Sequence, residues 1–227
     1  MSHSHAIDRR GRGPGLRAAV TRAVLAAVLV AAVLTGAAWA GTPTEDLKRQ
    51  TDRVIEVLRS TSLTPAARRA AVREVAADSF DLAETARRAL GTHWQGRTPA
   101  EREEFVRVFR DLLEQTYVTR IDEYGGERVE YVGERVDGDS AIVKAQIVTK
   151  SGTTVPIESR VNQRGGRWLI YDVLIENVSL VGNYRSQFDR IIRTSSYDDL
   201  VRRLKERVVQ LTDKPVAPAK PSGPRPR

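Results

Sequence analysis

Apolar positions recur at helical spacing through the first part of the chain and alternate in the second. Between Glu45 and Ser60, Leu47, Val54, Val57 and Leu58 gather on one side, which predicts a short amphipathic helix. Thr64-Pro65 pairs a capping hydroxyl with a proline at the first helical position and predicts a helix through Val72 and Val75 to about Ala77. Asp78-Ser79 interrupts, Phe80 offers an apolar anchor, and Asp81 can cap a further helix to Leu90, where Gly91 supplies a left-handed stop. Thr98-Pro99-Ala100-Glu101 combines a cap, a first-turn proline and the glutamate of a capping box. The helix it opens is expected to reach about Glu123. Phe105, Val108, Phe109, Leu112, Thr116 and Ile121 fall near one face, with Leu113, Tyr117 and Tyr124 alongside.

After Gly125-Gly126 the period drops to two. Glu127–Val136, Ser140–Lys150, Thr154–Asn162 and Trp168–Ile175 read as four short strands separated by Asp137-Gly138-Asp139, Ser151-Gly152 and Arg164-Gly165-Gly166, all turn chemistry. Val143, Ala145 and Ile147 face one way in the second strand, and Lys144, Gln146 and Lys150 the other. Val155, Ile157 and Val161 oppose Glu158 and Arg160 in the third. That is an antiparallel meander with one wet face. Helices at Tyr184–Thr194 and Tyr197–Leu211 follow, the second capped by Ser196. Helices set before and after such a sheet give an α+β domain. A curved sheet closed by the long central helix makes a cone, and a cone can hold a pocket.

The two ends read differently. Arg9, Arg10, Arg12, Arg17 and Arg22 precede an uncharged run, Ala23 to Leu34, and then Ala38-Trp39-Ala40. A basic region, a short apolar region and a small-residue site predict a secretory leader over 1–40, cleaved after Ala40. The run is short for a membrane span, which needs roughly 20 apolar residues. The domain is expected over 41–211, and 212–227 as a Pro-rich, basic, disordered tail. The formal charge of +8 on 227 residues is concentrated in these ends, leaving about +1 on 41–211. Nucleic-acid binding needs a basic face on the fold itself, so it is not expected.

Composition removes further classes. The chain has no Cys, hence no disulfide framework, thiol nucleophile, Cys-ligated metal or lipidation cysteine. Without its leader it keeps His93 as its single histidine, too few for a histidine metal cluster. No cofactor is expected.

Four stretches taken in order carry a resemblance. They are Phe80-Asp81; Leu90-Gly91-Thr92-His93-Trp94 with Thr98-Pro99-Ala100-Glu101-Arg102; Trp168-Leu169-Ile170-Tyr171-Asp172-Val173; and Glu176-Asn177-Val178-Ser179-Leu180-Val181 running into Asn183-Tyr184-Arg185-Ser186-Gln187-Phe188. Over about Thr44 to Val209 the chain resembles the MlaC-like periplasmic phospholipid-binding proteins, also called the toluene-tolerance auxiliary family. Asn177 departs from the Gly expected after the Glu, although Asn tolerates the same left-handed backbone. The resemblance implies an NTF2-like curved four-stranded sheet packed with several helices around an apolar pocket. It implies a soluble periplasmic carrier of an ABC-type lipid transport system, non-enzymatic, with phospholipid as its cargo. Its partners would be an outer-membrane lipoprotein complex and an inner-membrane ABC transporter complex with its MCE-type subunit. The lipid-contacting residues would be Phe109, Leu113, Tyr117, Ile121, Val143, Ala145, Ile147, Val155, Ile157, Val161, Trp168 and Ile170, with Ile147 and Ile157 foremost.

Each feature also has a plainer reading. The strand stripe can be ordinary core, Tyr117 and Tyr124 a helix–sheet seam, Asp172 a backbone-ordering group, and His93-Trp94 a packing corner. Among the strand positions no compact Arg/Lys set could clamp a phosphate, which points to little headgroup selectivity. Two other functions fit the same cone. One is a periplasmic adaptor or chaperone holding protein segments. The other is an isomerase or dehydratase, with Asp172, Glu158, Tyr171 and His93 as its available acid–base groups.

Overall fold

The computed structural model describes residues 41–118 and 124–213. The expected leader, the tail beyond 213, and Ile121 with the expected end of the long helix lie outside the described residues.

Among the described residues six α-helices and five strands follow in order: α1 Pro43–Arg59, α2 Pro65–Ser79, α3 Leu82–Leu90, a 3₁₀ turn Gly91–Trp94, α4 Pro99–Tyr117, β1 Arg128–Asp137, β2 Ser140–Val148, β3 Thr154–Arg164, β4 Arg167–Ile175, β5 Val178–Ser179, α5 Leu180–Thr194 and α6 Tyr197–Asp213. The starts are set by local chemistry. The Glu101 backbone N–H donates to Thr98 Oγ1 and the Thr98 N–H to Glu101 Oε2, closing the capping box of α4. An equivalent box, Thr42 with Glu45, opens α1 two residues before the apolar spacing suggests, because its signal is polar. Asp81 caps α3, and Gly91 stops it at φ +60°.

The sheet is an antiparallel meander in the order β1-β2-β3-β4-β5. It has five strands rather than the expected four. The fifth, Val178–Ser179, is too short for alternation to show. It is turned back onto β4 by Glu176 and Asn177, both left-handed at φ 50° and 65°. Register places Val143 beside Ser159, Ala145 beside Ile157, and Ile147 beside Val155, so the apolar stripe counted in the sequence shares one face. Ile175 extends the Ala145–Ile157 row and Val173 the Ser159 row. An irregularity at Tyr171 sets Asp172 against Arg160 and Ile170 against Val161. Asp172 is thereby removed from the row of Ile170 and Val173, where strict alternation would have put it.

Two apolar clusters result. A large helical core joins α3, α4, α5 and α6 around Leu90, Phe105, Phe109, Phe188 and Leu200. A smaller one lies under α1, where Leu47 meets Ala141, Val143, Val161 and Trp168. The Asp46 carboxylate accepts from the Trp168 backbone N–H at 3.0 Å and so ties α1 to the start of β4.

Candidate functional site

Between these clusters lies a cleft of about 390 Å³. Its walls are the end of α2 (Ala76, Ala77), Phe80, Leu82 of α3, the second half of α4 with Leu113, Tyr117 and Val118, the end of β4 (Val173, Ile175), Val178 of β5 and Leu180 of α5. Local sequence explains each wall. The Ala pair keeps α2 slim where it faces the cavity. Arg110, Leu113, Glu114 and Tyr117 are spaced 3, 4 and 7 residues along α4 and so form one stripe. The tight β4–β5 turn folds Val178 back beside Ile175. Tyr117, Ile175 and Val178 are 46%, 47% and 64% exposed, large apolar surface gathered at one rim. Such gathering marks a binding surface rather than incidental exposure.

One polar strut holds the cleft's far wall. Asp172 is 4% exposed. It accepts from Ser179 Oγ at 2.7 Å and from the Val181 backbone N–H at 3.0 Å, fixing the start of α5 to β4. The ordering role read for Asp172 is what its contacts describe. Tyr184 packs against the helical core and reaches the cleft residue Tyr117: its ring meets Phe109 and Phe188, while its hydroxyl interacts with Tyr117 and Thr116. Burial, and then the neighbouring Tyr117, push Tyr184 ionisation well above the ordinary tyrosine value.

Of the residues singled out for lipid contact, Leu113 and Tyr117 line the cleft. Phe109, 1% exposed, stacks on Phe105 at 5.8 Å inside the helical core. Val143, Val161 and Trp168 are buried in the cluster under α1, with Ile170 packed against it. Ala145 is buried beside Ile157. Ile147, Val155 and Ile157 are half-buried on the face that carries Val173 and Ile175, outside the cleft lining. The cleft residues that sequence reasoning missed include the apolar Ala76, Ala77, Phe80, Leu82, Val118, Val173, Ile175, Val178 and Leu180, and the charged pair Arg110 and Glu114. Val173 and Ile175 were hidden by the irregularity at Tyr171, and the alanines carry no signal of their own.

The acid–base candidates lie elsewhere. His93 Nε2 is 2.9 Å from Asp189 Oδ1 at the α3–α5 corner. Glu158 opposes Lys144 across the strands and contacts Arg160 at 3.3 Å. Among the described residues, no helix is long and apolar enough to cross a membrane.

The sequence profile of the MlaC protein family matches residues 48–206. The chain belongs to the MlaC family. It is 22% identical over 128 residues to the intermembrane phospholipid transport system binding protein MlaC of Haemophilus influenzae. That alignment takes in 54% of this chain and 60% of the relative's length. Its fold is similar, with a TM-score of 0.67 and 24% identity, to that of the phospholipid-binding protein from Ralstonia solanacearum, solved in complex with a phospholipid. The match covers 74% of this chain and 97% of the Ralstonia chain. The four ordered stretches read from the sequence therefore identified both family and fold correctly.

Proposed function

We propose that this protein is a phospholipid carrier, exported to the periplasm, that holds acyl chains in the cleft between α4 and the end of β4. Cargo would pass between an outer-membrane lipoprotein complex and an inner-membrane ABC transporter complex with its MCE-type subunit. The carrying observation is the cleft itself: it opens on the apolar side of the sheet, in a chain of the MlaC family, with its largest exposed apolar side chains at one rim. Ile157, Val155 and Ile147 extend the same face beyond the cleft and would cover cargo that the cleft does not enclose. Binding rather than catalysis fits the wall chemistry. Asp172, Glu158, Tyr171 and His93 are all absent from the lining, and Glu114, its one carboxylate among the described residues, sits between two guanidiniums.

The energetics suit a carrier. A diacyl lipid hides on the order of 30 methylenes at about 0.8 kcal/mol each, a sum of order 20 kcal/mol against water. That is close to the ceiling for non-covalent affinity, so release into water is rare. A bilayer hides the same chains, so the difference nearly cancels at a membrane complex and cargo can exchange there.

Organic extraction and mass spectrometry of the exported protein test the reading. A chain beginning at Gly41 with co-purifying phospholipid is expected. A product that retains 1–40, or one that neither carries lipid nor takes it up after delipidation, would overturn export or carriage respectively.

A further inference from the structure

We propose that the cleft reads the cargo's headgroup: Arg110 takes the phosphodiester, and Glu114 favours a zwitterionic headgroup whose ammonium lies toward it. This rests on the carrier reading above. Among the described residues, Arg110 and Glu114 are the two charged ones lining a largely apolar cleft. They lie four residues apart on the α4 stripe, about 6 Å along the helix axis, with Leu113 between them and Tyr117 one turn further. The stripe thus alternates charged and apolar side chains, Arg110, Leu113, Glu114 and Tyr117, and sets the two charges against the apolar walls where a headgroup would meet its acyl chains.

Arg110 is loosely tethered. Its Nε is 3.6 Å from Asp111 Oδ1 and 3.9 Å from Glu114 Oε1, both beyond hydrogen-bond length, and its side chain is 44% exposed. Exposed pairs of this kind add little stability, so turning the guanidinium toward a ligand costs little. Its guanidinium is the planar fork that grips a phosphate bidentately. Glu114 keeps a cationic neighbour when Arg110 turns, because Arg73 of α2 lies 3.4 Å from its other oxygen.

Charge then selects. Arg73, Arg110, Asp111 and Glu114 sum to zero. An anionic headgroup would leave one uncompensated negative charge beside two carboxylates, whereas a zwitterion leaves none. The remaining polar lining is already engaged: Ser179 donates to Asp172 and accepts from Gly182, and Asn183 Oδ1 accepts from Gln187. The rival basic cavity of Arg49, Arg53 and Arg167 has its cations occupied by Asp46 and Asp78 and lacks apolar walls for acyl chains.

The test offers the delipidated protein, in mixed micelles, an equimolar set of phosphatidylethanolamine, phosphatidylglycerol and diacylglycerol with identical chains. Bound lipid is counted by mass spectrometry. The wild type is expected to load phosphatidylethanolamine about ten-fold over diacylglycerol, the size of one charge-assisted contact at a half-exposed site, and several-fold over phosphatidylglycerol. Arg110→Gln should abolish the preference over diacylglycerol while keeping total loading, and Arg110→Lys should restore part of it. Glu114→Gln should shift loading toward phosphatidylglycerol. Gln is a good helix former at exposed Arg110 and half-buried Glu114, and unchanged melting temperatures would confirm intact folds. Equal loading of all three lipids by the wild type, or wild-type preferences in both variants, would overturn headgroup reading and leave the carrier standing. If the wild type loads no lipid at all, the carrier reading fails with it.

Discussion

In the helical core, Phe105 stacks on Phe109 at 5.8 Å, Phe188 meets both edge-on at 5.8 and 5.4 Å, and Tyr184 closes the set. At the cleft a few residues further along α4, the walls are mostly aliphatic and small, among them Ala76, Leu113, Val173, Val178 and Leu180, with Phe80 and Tyr117 as the rings. Both regions are apolar, yet Phe105 is 0% exposed while Ile175 and Val178 stand about half open. Ring-against-ring packing has strong geometric preferences and fixes one arrangement. Branched aliphatic walls contact by shape alone and suit flexible chains of varying length. The fold clusters its rings where nothing should move, and where cargo would come and go it sets mostly aliphatic residues, with only Phe80 and Tyr117 as rings among the described residues and no ring stack.

Breaking the closed region should give the largest effect. Phe105→Ala removes a ring that touches Phe109, Phe188 and Tyr197, with no solvent path to fill the gap. A loss of about 3–5 kcal/mol is expected, a large share of a typical domain's stability. Urea unfolding measures it. A cost below about 1 kcal/mol would mean that the core is as accommodating as the cleft, and the contrast would collapse.

Filling the open region should do the reverse. Ala76→Trp puts an indole into the 390 Å³ cavity from the α2 wall. Overpacking a closed core costs about 1–3 kcal/mol. Here the ring has space, so the melting temperature should hold or rise slightly while co-purified lipid falls several-fold. A variant that melts early and keeps its lipid would place Ala76 in packed core.

What the sequence disclosed follows the range of each signal. The caps at Thr98, Asp81 and Ser196 are local chemistry, and all three sit where they were read. The apolar face of β2 and β3 was legible because period two held through both strands. Beyond Tyr171 it failed. One irregularity shifted the count, which concealed Val173 and Ile175, and a two-residue strand escaped notice altogether. Phe109 illustrates a different limit. Periodicity gives the direction a helix residue faces, but two apolar bodies flank α4, and only the fold tells which of them a given ring enters. The charged pair Arg110–Glu114 was invisible for the same reason: on a helix with many charges, nothing local marks the two that border a cavity.

Acid should sharpen the contrast most gently, through Glu84 on α3. The side chain is 9% exposed and is gripped by Arg87 at 2.6 Å and Arg88 at 2.7 Å. The Arg87 hydrogen bond, opposed by burial and reinforced by Arg88, holds its pKa below the ordinary glutamate value. A carboxylate depressed in the fold binds more protons when unfolded, so its contribution is present above the unfolded titration, near pH 4.3. That contribution is lost as pH falls through the folded value. Both arginines are half-exposed, so the contribution is about 1 kcal/mol. Glu84→Gln should therefore lower stability by about that much at pH 7 and progressively less as pH falls through the folded value. Lipid content at neutral pH should be unchanged, since α3 meets the cleft only at Leu82. Parallel stability–pH curves for variant and wild type would show that the ion pairs contribute nothing, leaving the aromatic packing as the whole of the core's advantage over the cleft.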